Sequence, residues 1–212
     1  MRILAVDTAL GACSAAVLDG ARTAARRSVP MQRGHAEALA PMVEEAMREA
    51  RLAFAALERL AVTTGPGTFT GQRIGLAFMR GLRVALKIPL NGVTSLAVMA
   101  AQAMEETGCG RAAAIHDARR EEFYVEFAPH GAPQLMSRAE VERALASCEE
   151  RFALAGSGAC QFAGSARAVL SAVRHPDALW VARLAAAMPA AAGVPKPLYL
   201  RAPGARLPGA RQ

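Results

Sequence analysis

The sequence predicts an α/β protein of two lobes, and three observations carry that expectation. Short apolar runs of strand character alternate with longer runs of helical period. The chain opens on three consecutive strand-like segments, and a hairpin-like pair opens its second half. Between the halves stands the break "TGCG" (107–110), which places a first lobe over 1–108 and a smaller one over 109–212.

"RILAVD" (2–7) and "ACSAAVLDG" (12–20) are apolar runs joined by the turn "TALG". "ARTAARRS" (21–28) follows as a more exposed strand, giving a meander whose first strand ends in Asp7. From Gly34 the period changes. Ala36, Leu39, Ala40, Val43, Ala46, Met47 and Ala50 recur at three- and four-residue steps, predicting a helix over 35–50 that Pro41 either kinks or begins. "RLAVTT" (59–64) is a strand, "GPGTFTG" (65–71) a loop, and 71–86 a second helix with Thr70 as its cap. "PLNGVT" (89–94) is a strand, and a helix follows from Ser95 to Glu106.

In the second half, "RAAAIHD" (111–117) and "EEFYVEFAP" (121–129) form a hairpin, "RAEVERALASC" (138–148) a helix and "RFALAG" (151–156) a strand. "CQFAGSARAVLSAV" (160–173) and "WVARLAAAM" (180–188) are expected as further helices, and the Pro- and Gly-rich end from residue 193 as irregular.

A hydrophobic fraction of 53% against 20% charged residues excludes a disordered chain, and 5% aromatics means a core of small and branched aliphatic side chains. The net charge of +7 is almost all arginine, since only Lys87 and Lys196 are lysines. Such a balance suits an anionic partner such as RNA, yet the arginines form no dense block, as on an ordinary solvated surface. Cys13, Cys109, Cys148 and Cys160 lack the spacing of a disulfide framework or metal knuckle and read as reduced. The N-terminal run lacks the basic start and long apolar core of a secretion signal, and no run of about 20 uncharged apolar residues spans a membrane, so a cytoplasmic protein is expected.

The loop "GPGTFTG" stands where a phosphate cradle would, before a helix whose N-terminus carries partial positive charge. No lysine follows the glycines as a P-loop requires, so its expected work is to turn the chain and present the helix. Asp7, Thr8, Gly65 and Gly67 are the residues left to touch a phosphate. On that helix Ile74, Ala77, Phe78, Gly81, Leu82 and Ala85 form one face, expected against the sheet. Leu76, Met79 and Leu86, with Gln72 and Arg83, form a second, which is either buried between the lobes or meets a partner. None of the four histidines pairs with another at ligand spacing. His35, in "RGHAEAL", is either hydrogen-bonded at a helix start or a contact there.

Taken in order, "ILAVDTALGACSAAV", "RGHAEALAPMVEEAM", "GPGTFTGQRIGLAFMRGLRVAL", "IPLNGVTSLAVMA", "DARREEFYVEFA" and "PLYLR" resemble the TsaB family, formerly YeaZ. The resemblance runs from residue 2 to about 201 and implies the two-lobed fold of actin, Hsp70 and sugar kinases (ASKHA), as a degenerate paralogue of TsaD. It implies a supporting subunit of the TsaD–TsaB–TsaE machinery that transfers a threonylcarbamoyl group to the N6 of the adenosine beside the anticodon in tRNAs reading codons that start with A. The pattern of TsaD holds a metal with two histidines one helical turn apart; those positions are Ser95 and Met99 here, so no metal is expected on this chain. The first hairpin reads Asp7-Thr8-Ala9-Leu10-Gly11 where ATP-binding members of the superfamily have a glycine beside the Asp, and the second lobe offers only "AGSGA" (155–159). ATP or ADP and metal are therefore expected in the partner subunits, with no cofactor and no catalytic residue of this chain's own.

The resemblance also implies direct pairing with TsaD through a helix–helix interface, or self-pairing when TsaD is absent. The residues expected there are Leu39, Met42, Val43 and Ala46 from the first helix and Leu76, Met79 and Arg83 from the second. Contact with TsaE is implied, and tRNA is expected through the complex, with Arg201, Arg206 and Arg211 of the tail as phosphate contacts. Two other readings compete. A sugar-kinase-like phosphotransferase would hydrolyse ATP alone, and a peptidase would need a nucleophile and base for which the sequence offers no recognisable set.

Overall fold

The computed structural model describes residues 1–201, which form two five-stranded sheets with helices on their faces. The first half runs β1 (Arg2–Asp7), β2 (Ala12–Asp19), β3 (Arg22–Pro30), α1 (His35–Ala50), β4 (Arg59–Gly65), α2 (Phe69–Leu86), β5 (Leu90–Thr94) and α3 (Ser95–Thr107). The second runs β6 (Ala112–Asp117), β7 (Glu122–Ala128), β8 (Gln134–Ser137), α4 (Arg138–Ala146), β9 (Phe152–Ala155), a 3-10 turn at Ala159–Phe162, β10 (Ala168–Leu170) and α5 (Ala178–Ala187).

The two halves share one topology. The sheets are ordered β3-β2-β1-β4-β5 and β8-β7-β6-β9-β10, each with two antiparallel pairings followed by two parallel ones. Each parallel step needs a crossover, and a helix or, after β9, a 3-10 turn supplies it.

The first sheet is covered on both faces because its strands are apolar at nearly every position. Leu4 and Val6 point toward α1 and α2, while Ile3 and Ala5 point toward α5. Here the expected division of the chain fails for one helix. α5, expected in the lobe 109–212, packs on the first sheet through Ala178, Val181, Ala182 and Ala185, and Arg59 of β4 donates to its Ala185 carbonyl at 2.6 Å. α3 does the reverse, packing Leu96, Met99, Ala100 and Ala103 against the alanine-lined face of β6 and β9. The final helix of each half thus covers the other half's sheet or the junction between them.

Three expectations are corrected locally. α2 starts at Phe69 rather than 71 and is capped by Thr68, whose hydroxyl accepts the Gly71 amide at 3.1 Å; Thr70 lies inside the helix. The helix expected over 160–173 is a 3-10 turn followed by β10, because Gly164 and Ser165 interrupt it and the edge of β9 offers backbone partners to 168–170. α1 runs unbroken through Pro41, which is exposed on its solvent side.

A fourth correction reverses the faces of α2. Leu76 and Met79, expected at a partner surface, are 2% and 0% exposed and lie in the core with Leu39, Met42, Val43 and Ala46 of α1. Arg83 is half-buried beside them. Ala77, Gly81 and Ala85, expected against the sheet, face outward with Val84, which is 72% exposed. The reason is backbone approach. A Cβ at Gly71 would lie 2.2 Å from the Thr8 carbonyl oxygen, so the glycine edge of α2 must turn toward the sheet whatever the apolarity of the other edge. Arg206 and Arg211 lie outside the described residues.

Candidate functional site

Between the two sheets opens a cleft of about 800 Å³. Its floor and walls come from the starts of α1 (Arg33, Gly34, His35) and α2 (Gly67, Thr68, Thr70), from the β6–β7 hairpin (His116, Asp117, Arg119, Tyr124), and from Ser157 and His175. Two helix N-termini and two arginines, Arg33 and Arg119, on one concavity make its electrostatics favourable to an anion.

The residues singled out for phosphate contact divide. Gly67 lines the cleft. Asp7 and Thr8 do not: they are 0% and 1% exposed, on the interior side of the turn. Gly65 is buried too, with φ of 101° and the Gln72 side chain packed where a Cβ would stand. Gly67 owes its identity to the Ala9 carbonyl oxygen, 2.3 Å from where its Cβ would be. The loop is therefore seated on the β1–β2 turn, and Thr68 donates its backbone amide to the same Ala9 oxygen at 2.9 Å.

Asp7 Oδ1 accepts the Thr63 hydroxyl at 2.5 Å and the Ala9 amide at 3.1 Å, while Oδ2 has no partner. Burial pushes its carboxyl up to about 7, against the pull of those two hydrogen bonds and with a further push from Asp177. Burial, with the Asp7 charge nearby, raises the Cys13 thiol to about 11. A closed-off carboxyl of this kind does not fit the role of orienting a magnesium ion.

The two positions that the resemblance sets where a metal pair would stand do not fit a metal either. Ser95 is fully buried and donates to the Pro66 carbonyl; Met99 is fully buried in the apolar layer between α3 and β6. Among the described residues no group of three or more His, Cys, Asp or Glu side chains is placed to hold a metal ion. The "AGSGA" glycines pack on β6: a Cβ at Gly156 would meet the Ile115 carbonyl oxygen at 2.3 Å, and that oxygen accepts the Gly158 amide. His35 Nε2 bonds the Leu10 carbonyl at 3.1 Å, the helix-start hydrogen bond that was one of its two readings.

One pairing was invisible in the sequence. Ser157 Oγ lies 2.9 Å from His116 Nδ1, and the same hydroxyl accepts the Asp117 amide at 3.1 Å. This serine and histidine, on different strands' ends, have the outline of a nucleophile and base. The imidazole argues against that chemistry: burial and the neighbouring His175 hold it down to about 4, opposed only by Asp117, so it is a poor base near neutrality. His175 is lowered also, by burial and by Arg174.

A second cluster lies at the start of α2. Phe69 and Tyr199 stack with centroids 5.8 Å apart, and Arg73 places its guanidinium 3.5 Å from the Phe69 centroid. The i,i+4 spacing of Phe69 and Arg73 was readable; Tyr199 was not, because it arrives on the extended segment after α5.

The family model described as TsaD, tRNA N6-adenosine threonylcarbamoyltransferase, matches residues 29–191. The tRNA threonylcarbamoyladenosine biosynthesis protein TsaB of Escherichia coli K12 is 39% identical over 125 residues, 58% of this chain and 53% of the relative. The chain thus spans about half the length of the curated relatives it matches. YeaZ from Pseudomonas aeruginosa superposes with a TM-score of 0.76 at 31% identity, covering 88% of this chain and 92% of the other. A second Pseudomonas aeruginosa structure, described as uncharacterized with similarity to peptidase YeaZ, gives a TM-score of 0.80 at 32% identity over 94% of this chain and 99% of that one. No helix among the described residues is long and apolar enough to cross a membrane.

Proposed function

Since the chain belongs to the TsaB (YeaZ) family, related to TsaD and built on the two-lobed actin, Hsp70 and sugar-kinase-like fold, we propose that it is a non-catalytic partner subunit. It binds and supports a TsaD-type transferase that places a threonylcarbamoyl group on tRNA adenosine. TsaE is the third component of that assembly, tRNA its substrate, and the nucleotide and metal belong to the partner subunits.

The observation that carries this reading is the outward side of α2. Ala77, Gly81, Val84 and Ala85 present an exposed surface of small and apolar groups, with Ile74, Phe78 and Leu82 half-buried along its margin toward α1. A Cβ built at Gly81 meets nothing within 4 Å, so another helix can approach closely there. A stripe of this kind covers no core of its own and suits helix–helix pairing, with a TsaD-type chain or with a second copy of this one. The buried, packed condition of Asp7, Thr8, Ser95 and Met99 supports a supporting role rather than a catalytic one.

The test is co-purification with a TsaD relative, followed by threonylcarbamoyl transfer to tRNA with and without this chain. Transfer that needs this chain supports the proposal. Transfer unaffected by its removal, or ATP turnover by this chain alone that Asp7→Ala abolishes, overturns it.

A further inference from the structure

We infer that Phe69, Arg73 and Tyr199 form a stacking platform for the unpaired bases of RNA. This deepens the tRNA-modification reading and rests on it for the choice of RNA. Phe69 and Tyr199 are 54% and 40% exposed, whereas Phe123, Phe152 and Phe162 are buried. The two exposed rings stack on each other, their planes 25° apart, and a base adds to the exposed outer side of the stack.

The cluster is held from both ends. Arg73 lies over Phe69 and its Nε donates to the Tyr199 hydroxyl at 2.9 Å. Tyr199 follows Leu198, whose amide donates to the Thr64 carbonyl at 2.8 Å, so the segment that carries the ring is hydrogen-bonded beside β4. Rings fixed in this way lose little conformational freedom when a flat ligand stacks on them.

Cations flank the rings along the same segment. Lys196 is exposed, Arg80 reaches the Pro195 carbonyl, and Arg201 donates to the Ala118 carbonyl and pairs with Glu122. Arg201 thereby brings the β6–β7 turn alongside. There Arg119 and Arg120 are exposed, and neither pairs with a carboxylate among the described residues. Asp117, Glu121 and Glu122 are the acids of that turn; Asp117 accepts the Arg119 amide at 2.7 Å and Arg201 offsets Glu122. Exposed rings between guanidinium groups match a single strand, which offers base faces and phosphates together. A duplex keeps its base faces stacked and meets only the cations.

The test is fluorescence anisotropy with the intact chain, using a labelled single-stranded oligoadenylate of about 12 nucleotides and the same strand paired with oligouridylate. The single strand should bind more tightly than the duplex. Phe69→Leu should weaken single-strand binding about tenfold, with circular dichroism and melting unchanged. Tyr199→Phe keeps the ring and should keep the affinity, and Arg119→Gln should reduce the salt slope by about one. Equal binding of single strand and duplex, or Phe69→Leu binding like its parent, overturns the inference. If Phe69→Leu loses the TsaD relative while RNA binding is unchanged, the surface is a protein contact and the inference fails with the proposed function intact. A chain that binds single strands through Phe69 yet never co-purifies with a TsaD relative keeps the platform and overturns that function.

Discussion

The hydroxyl of Thr8 donates to the Gly71 carbonyl at 2.7 Å and also accepts the Gly75 amide at 3.0 Å. It therefore bridges the two ends of one rung of α2 and fastens the turn after β1 to the first coils of that helix. Thr8→Val keeps the shape and removes both bonds, and it should lower stability by about 1–3 kcal/mol in urea unfolding. Unchanged stability would mean that the rung closes on its own.

Gly75 and Gly81 should respond oppositely to alanine. A Cβ at Gly75 would stand 2.7 Å from the Thr8 hydroxyl oxygen, so Gly75→Ala should destabilise, while Gly81→Ala meets open space and should raise stability by roughly 0.5–1 kcal/mol. If the outward side of α2 is a close helix–helix contact, Gly81→Ala should at the same time weaken partner binding. Thermal melting and co-purification of the same two variants read both effects.

A carboxylate separates the two sides of α2. Ala77→Glu, on the exposed side, should leave circular dichroism unchanged and prevent assembly with a TsaD relative. Met79→Glu places a charge in the core and should unfold the chain, as should Val43→Glu. Normal assembly by a folded Ala77→Glu chain would move the partner surface elsewhere.

Asp7 gives stability a slope with pH. Its carboxyl is raised in the folded chain to about 7 from an ordinary value near 4, so the native state holds a proton that the unfolded state has released. Its contribution is most favourable below about pH 4 and falls as pH rises to 7, by an amount on the order of 4 kcal/mol at most. Asp7→Asn should flatten that slope and melt at or above the parent at pH 8. An unaltered slope would show that Asp7 ionises freely.

His116 acts in the opposite sense. Its imidazole is lowered to about 4, so its contribution is fully present above pH 6.5 and is lost as pH falls from there toward 4. His116→Gln should lessen the acid loss without removing it, because His175 is lowered also. Proton NMR of the His116 ring settles the assignment: a midpoint above 6 would contradict it.

Much of the local structure was legible because it follows from short-range pattern. The β1–β2 hairpin and α1 with its three- and four-residue steps appear where the residues placed them, and the turn before α2 appears shortened to 66–68. The helix expected over 160–173 does not form, because small helix-tolerant residues there also satisfy a strand when a sheet edge lies beside them.

What the sequence determined by itself is the set of elements in the first half, the alternation of strands with helices, and the absence of histidine at positions 95 and 99. What only the tertiary structure decided is orientation and partnership. α2 has apolar residues on two sides, so periodicity alone cannot choose between them; the choice fell to backbone contacts of Gly71 and Gly75 with Thr8, far away in sequence. Ser157 meets His116, Tyr199 meets Phe69, and α5 crosses to the first sheet for the same physical reason. Local propensity fixes each segment's shape, whereas burial and hydrogen bonding between distant segments are settled only when the whole chain closes on its core.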